Sequence, residues 1–495
     1  MKRMCAAFTS MIRYHRVPVN DVCENVRIYI FFIAKGREAM QLLSAEKETW
    51  LAGDVRRLTL KIAAPSVAAM VASALCSLLE TLILGRSDAQ LSAAIGACFA
   101  LTALEQTVGF TLGMGAGSSV SRCLGCGSSG RALRSASVGF FSALAISCVF
   151  PVIGLFFAAP ALSLLGASAG GSSGTVYARY VCLCAPPLCG SLTLSSLLRA
   201  QGKTLPNMAA YAVGSILGAA LLYIFCVLLN FGVHGAGAAM LIREIAIFAI
   251  LLFSLCRDAS LIRPRLHCAK PTLPVLREIM RSGLPSLLRQ GTTSLSAVLL
   301  SRICAGFGAH ALAGMGLAVR VCTLYSSALI GFGQGFQPVC GVNLGAGKLN
   351  RCKTAYLFCQ RAAFGVTLVL SAAVFLFAPA LTDRFAPDAQ TAAFASSALR
   401  AQSAVFFAQS AVVLMTMLTQ AMGMTVRSSL VATSRQGLFF IPLLLILPRL
   451  FGERGLIFCQ SISDLSALLF SFFLTRNIFR TQLPCTQKAS SATRR

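Results

Sequence analysis

The chain has 495 residues, 56% of them hydrophobic and only 12% charged, with a formal net charge of +27. A soluble domain carries about 25% charged residues, so an ordinary water-soluble globule is excluded. The basic residues fall between long apolar runs rather than on a polar surface, which argues against a nucleic-acid partner.

Residues 1–55 read as a basic cytoplasmic extension, and those before Met40 as an addition from an upstream start codon. Their apolar stretch 28–34 is too short for a span or for the core of a signal peptide. Beyond it come runs of roughly 15 to 20 apolar residues, which with their flanks cross about 30 Å of hydrocarbon as helices. Only helices satisfy their own backbone in lipid, apart from closed barrels, whose alternating segments of about 10 residues are missing here. The expectation is an all-α polytopic membrane protein of twelve transmembrane helices.

In chain order the first six spans are expected at 58–84, 91–118, 132–158, 175–198, 208–230 and 235–256. They make an N-lobe over 56–257. A basic, proline-bearing cytoplasmic linker follows at 258–277, with Pro264, Pro271 and Pro274. The C-lobe, 278–478, holds spans at 278–302, 311–338, 353–379, 396–420, 428–448 and 455–476, before a cytoplasmic tail at 479–495. Lys and Arg crowd alternate loops, as at Arg122/Arg131/Arg134 and Lys348/Arg351/Lys353, and leave the intervening loops nearly bare. This positive-inside pattern places both termini in the cytoplasm.

The two lobes are a sequence repeat. Shifted by 220, Pro65 falls on Pro285, Gly113 and Gly115 on Gly333 and Gly335, Gly125 and Gly127 on Gly345 and Gly347, and Arg131 on Arg351. Each half holds an even number of spans, so the repeats run parallel about an axis along the membrane normal. Two such bundles can rock about a shared central site, which makes alternating access the expected mechanism. Pro65 and Pro285 lie early in the first and seventh spans, where a missing hydrogen bond permits a bend. The glycines of the second span in each half suit close helix packing.

Soluble-enzyme chemistry has no candidate. There are four His, no HExxH and no phosphate-binding loop, so neither metal nor ATP hydrolysis is expected, and no cofactor. Most of the 20 cysteines lie in apolar runs, and the single Cys123-x-x-Cys126 lacks the second ligand pair of a zinc site.

Several motifs carry a family resemblance. These are Pro65 followed by Glu80 and Gly85, Gly232-Val-His-Gly-Ala-Gly237, Gly283-Leu-Pro-Ser-Leu-Leu-Arg-Gln-Gly291 and Gly331-Phe-Gly-Gln-Gly-Phe-Gln-Pro338. Gly341-Val-Asn-Leu-Gly-Ala346, Ser434-Arg-Gln-Gly437 ahead of Pro442, and Asp464 follow. In order, spacing and duplication the chain resembles multidrug and toxic compound extrusion (MATE) transporters over about residues 55 to 478. Its second half is most similar to the bacterial MepA-like branch. The resemblance implies two six-helix lobes in the plasma membrane and export of small amphipathic, often cationic compounds. A proton or sodium gradient would drive the export. The expected partners are the small-molecule substrate and membrane lipid, with the chain a monomer.

The resemblance assigns ion coupling to Glu80, where the family usually has Asp. Many members have a second acid in the fifth span, where this chain has Leu222. An ionisable group inside a span is costly and needs a reason. Glu105, Arg289, Gln290, Arg320, Gln334 and Gln337 are the candidates for a substrate cavity or charge network. Arg302 stands where the branch often has Asn. Arg243 and Glu244 are helix neighbours about 100° apart, so partners on other helices are expected. Arginines facing the cavity favour anionic or neutral cargo; arginines paired with Glu80, Glu105 or Glu244 leave cationic export open. Two alternatives share the architecture: a flippase for a lipid-linked precursor, and a degenerate transporter serving as receptor or scaffold.

Overall fold

The computed structural model describes residues 50–87, 89–164, 171–257, 262–269, 272–386 and 388–479. Most of the expected N-terminal extension and C-terminal tail lies outside them. The described helices are α1 (Val55–Ser87), α2 (Ala89–Gly125), α3 (Ser129–Ser147), α4 (Val149–Leu164), α5 (Gly171–Ala200), α6 (Leu205–Tyr223) and α7 (Gly232–Arg257) in the first half. The second half has α8 (Leu273–Phe307), α9 (Ala309–Gly345), α10 (Leu349–Phe385), α11 (Ala389–Ala404), α12 (Phe406–Ala421), α13 (Thr425–Thr433) and α14 (Phe440–Thr475). No strand occurs among the described residues.

Three local breaks turn these helices into twelve spans. At Cys148 the third span divides into α3 and α4. At Val405 the tenth bends by 52° between α11 and α12. Within α14, Gly452 adopts φ +59°, a left-handed conformation that glycine reaches without steric cost. The chain folds back there, and the Cys459 thiol donates to the Leu443 carbonyl at 3.4 Å across the two arms. One long helix therefore supplies the end of the eleventh span and all of the twelfth. The fifth and eleventh spans each widen into a π turn, at Ile224–Leu228 and Ser434–Phe439.

The repeat is visible in the helix ends. Gly127 and Gly347 both have φ +74°, and Gly202 and Gly423 have φ +78° and +72°. Each closes a helix with the same pair of bonds: Gly127 N–H to Leu124 and Ser128 N–H to Cys123, matched by Gly347 to Leu344 and Lys348 to Asn343. Gly202 to Arg199 and Lys203 to Leu198 are matched by Gly423 to Gln420 and Met424 to Thr419. These bonds satisfy carbonyls that a helix end would otherwise leave bare.

Apolar side chains cover the outside. Leu155, Phe156, Val369, Leu376, Phe377 and Phe473 are each more than 60% exposed. Such a band on a soluble protein would drive association; around a helical bundle it is the surface that meets lipid. Two full-length helices, α2 and α8, lack the long uninterrupted apolar stretch of the other spanning helices. Both lie at the lobe boundary, where α2 packs on α8 and α1 packs on α9. Pro65 and Pro285 sit inside unbroken α1 and α8, beside this boundary.

Candidate functional site

Among the described residues, the lobes meet along one half of the bundle. Gly115 packs on the Ile279 carbonyl and the Gly283 backbone, and its repeat mate Gly335 packs on Ala63. Gly283 and Ala63 are themselves 220 apart, so one contact occurs twice about the pseudo-axis. Gly331 fits against Ser66 and Val67, and Gly125 against Val342 and Gly345. No side chain fits at these points, so glycine permits the approach. Polar bonds reinforce it. Arg122 donates to Ser282 at 3.0 Å and to the Ala421 carbonyl at 3.3 Å, and lies 3.5 Å from Glu278. Gln337 Nε2 donates to Ser118 Oγ at 3.1 Å.

Above this seal the lobes part around a cavity of about 580 Å³. That volume suits a drug-sized molecule. Both lobes line it: Met70, Ser77, Gln106 and Phe110 from one, and Gln334, Gln402, Gln409 and Gln460 from the other. Its floor and walls also carry four guanidiniums, from Arg199, Arg243, Arg289 and Arg435, and two carboxylates, from Glu80 and Glu244.

Glu80 is held rather than free. Arg243 on α7 donates through Nη1 to the Glu80 carboxylate on α1, and through Nη2 to Glu244 at 2.9 Å and Nε at 3.1 Å. Arg243 thus pairs with a partner on another helix and with its own neighbour. The long arginine stem lets the guanidinium swing back across the 100° that separates adjacent positions. Gly218 on α6 clears its path, since a side chain there would meet the Arg243 methylenes. Cys76 donates to Glu80 Oε1 at 3.3 Å. Leu222, at the position where the resemblance implies a second acid in many members, packs in an apolar cluster with Leu101, Tyr177 and Cys226. The second carboxylate of this network comes from Glu244 on α7.

A second pair lies in the other lobe. Arg435, in the π turn, donates to Asp464 through Nε at 2.8 Å, and Gln460 Nε2 donates to the same oxygen at 2.7 Å. The π turn carries the Arg435 side chain to the cavity wall while its carbonyl accepts from Ser463 at 2.6 Å.

The remaining candidates divide. Arg289, Gln290 and Gln334 line the cavity, and Gln337 belongs to the seal below it. Glu105 does not line the cavity; it is fully buried in α2 with neither carboxyl oxygen hydrogen-bonded. Arg320 and Arg302 are exposed, outside the lining. Arg199, one residue beyond the expected fourth span, and Arg435, inside the expected eleventh, were not among the expected cavity residues, yet both line the cavity. Their signal was position: each stands at the edge of an apolar run from which a long side chain reaches back inside.

The MatE family model matches residues 65–224 and 285–446, one block per lobe. The multidrug export protein MepA of Staphylococcus aureus is 24% identical over 396 residues, covering 78% of this chain and 86% of its own. Among solved structures, a MATE in the straight conformation superposes with TM-score 0.82 at 23% identity, over 87% of this chain and 98% of its own. The outward-facing conformation of a multidrug resistance MATE family transporter of the MOP superfamily gives 0.80 at 23% identity, over 87% and 97%. The fold, its duplication and the matched blocks agree: this chain belongs to the MatE family of membrane transporters.

Proposed function

We propose that the chain is a secondary active exporter that moves small amphipathic compounds out of the cell in exchange for H+ or Na+. The observation that carries this reading is the cavity between two repeated lobes, sealed at one end by contacts that recur about the pseudo-axis. A seal built from matched glycine contacts can open at one end as the lobes part and close at the other. The basic loops lie at the sealed end, so the positive-inside pattern orients that end to the cytoplasm and the cavity to the outside. The chain then works as a monomer in the plasma membrane with both termini cytoplasmic. The similarity to multidrug export proteins supports export over import.

Glu80 is the coupling group in this reading. Its carboxylate lines the cavity and shares Arg243 with Glu244. A proton or sodium ion taken up there competes with Arg243 and loosens the tie between α1 and α7. Pro65, lower on α1, would let the released helix bend. Purified protein in liposomes, loaded with fluorescent amphipathic dyes of both charges, tests this under pH and sodium gradients in turn. Gradient-driven movement by the wild type that is lost in Glu80→Gln is expected. Equal movement by both proteins would remove Glu80 from coupling, and no movement under either gradient would remove the exporter.

A further inference from the structure

The charges of the cavity do not balance locally. Arg243 has two carboxylates and Arg435 has Asp464, but Arg199 and Arg289 have no carboxylate within ion-pair distance among the described residues. Arg199 is 7% exposed. Its guanidinium turns back along α5 and donates to the hydroxyls of Ser195 and of Ser196, the latter at 3.0 Å. A guanidinium has five N–H donors, and a desolvated one without a counter-charge is costly.

A second unmet group stands at the same place. Asn207, near the start of α6, is 1% exposed and lines the cavity, and its Oδ1 has no hydrogen-bond partner. Turned about its last bond, the same amide puts N–H donors where the unpartnered oxygen now lies. Tyr211, one helical turn on and therefore on the same face, also lines the cavity, with Ser195 across from it on α5. The last turn of α5 favours a cation by its dipole, which accounts for where Arg199 sits. It does not account for the orphaned amide, nor for Arg289 on the facing lobe.

We infer that the cavity floor binds the anionic head group, a carboxylate, sulfonate or phosphate, of an amphipathic cargo. Arg199 and Asn207 make the direct contacts, and Arg289 supplies a second positive charge from the C-lobe. The apolar body lies along Phe110, Leu192 and Met417, which line the same space. This inference rests on the exporter reading and gives its cargo a charge. The same chemistry is offered by a water-soluble organic anion and by a lipid-borne phosphate.

The test is equilibrium binding to the purified full-length protein, with no gradient present. The probes are 1-pyrenesulfonate and its trimethylammonium counterpart, two molecules with one apolar body and opposite charge. The wild type is expected to bind the sulfonate more tightly. Arg199→Gln should weaken it by about tenfold or more, the loss carried by a charge-assisted hydrogen bond, and leave the ammonium probe unchanged. Arg199→Lys should retain most of the affinity, and Asn207→Leu should lose part of it. Arg289→Gln, on the other lobe and half-buried, gives an independent reading should Arg199→Gln fail to fold. Nanodiscs carrying a polyprenyl phosphate assign the source: competition with the sulfonate names a lipid phosphate, and its absence names a soluble anion. Equal or tighter binding of the ammonium probe, or unchanged sulfonate affinity in both arginine variants, overturns the inference. If the sulfonate binds as expected but no gradient moves it in liposomes, the exporter reading falls and the anion site stands.

Discussion

Gly125 and Gly345 meet across the lobe boundary, each packed against the backbone that leads to the other. A side chain on Gly125 would collide with the Val342 carbonyl and the Gly345 Cα, and one on Gly345 with the Arg122 carbonyl. The Cys126 thiol donates to the Gly345 carbonyl at 3.1 Å. The sealed end therefore closes by backbone on backbone, and its geometry is the most direct statement the fold makes about rocking.

Gly125→Val and Gly345→Val should each disfavour the sealed state by about 1–3 kcal/mol through overpacking. That corresponds to a shift of about 5- to 150-fold in the balance of states. Peptide-resolved maleimide labelling of Cys126 should accelerate in Gly345→Val, because its carbonyl partner moves away. Unchanged labelling and unchanged transport would mean that this contact is not a gate.

Arg243 holds two carboxylates, and its loss should be worse than the loss of either acid. Arg243→Leu leaves Glu80 and Glu244 without a counter-charge and should destabilise the N-lobe by about 3–5 kcal/mol. Glu80→Gln keeps a hydrogen-bond acceptor for Arg243 and should cost less. Thermal unfolding in detergent ranks the two. The opposite order would show that Arg243 contributes little to the structure.

Glu105 offers a stabilising change. Its two oxygens are buried without partners, so replacing it by an apolar side chain of similar volume removes an unmet polar group. Glu105→Met should raise the melting temperature, by an amount equivalent to about 1–3 kcal/mol. A fall instead would give Glu105 a partner in a conformation other than this one.

Outside the membrane, Asp388 caps α11. Its carboxylate accepts from the Thr391 amide at 2.7 Å and from the Thr391 hydroxyl at 3.0 Å, which holds its pKa below the usual carboxylate value. A depressed pKa means the cap stabilises above about pH 4, the unfolded value, and fades as pH falls through the lower folded value. Asp388→Ala should therefore melt below the wild type near neutrality, and the difference should shrink in acid. A difference that stays constant as the pH is lowered from neutrality until the protein unfolds would assign it to something other than the charged cap.

The sequence made the twelve helices and the duplication legible because hydropathy and glycine spacing are local signals; of the polar candidates, Glu105 and Arg320 lie outside the cavity. Gly127 and Gly347 announce the same turn in both halves, and the structure bonds them identically. The breaks differ in legibility: the one at Cys148 lies just before Pro151, which has no N–H for the Ser147 carbonyl and whose ring crowds it, while the one at Val405 has no proline or glycine beside it. The Gly452 turn falls in the gap between the expected eleventh and twelfth spans, 448 to 455. Charge pairing was beyond reach. Arg243 could bond Glu244 only because its stem is long, and Arg435 met Asp464 only because a π turn shifted its register. Arg199 stands just past the expected fourth span, and its bonds to the Ser195 and Ser196 hydroxyls turn its side chain back inward.

The measurement that bears most directly on the account is the distance between the lobes at the sealed end under turnover conditions. Spin labels introduced as bioorthogonal residues at Gly130 and Lys353, both exposed at that end, would be followed by pulsed electron resonance in nanodiscs. Rocking predicts one short distance in the sealed state and a second, longer distance that grows when an ion gradient and a transported dye are supplied. It also predicts that Gly345→Val populates the longer distance without either. A single distance that ignores gradient, dye and mutation would contradict alternating access in this chain.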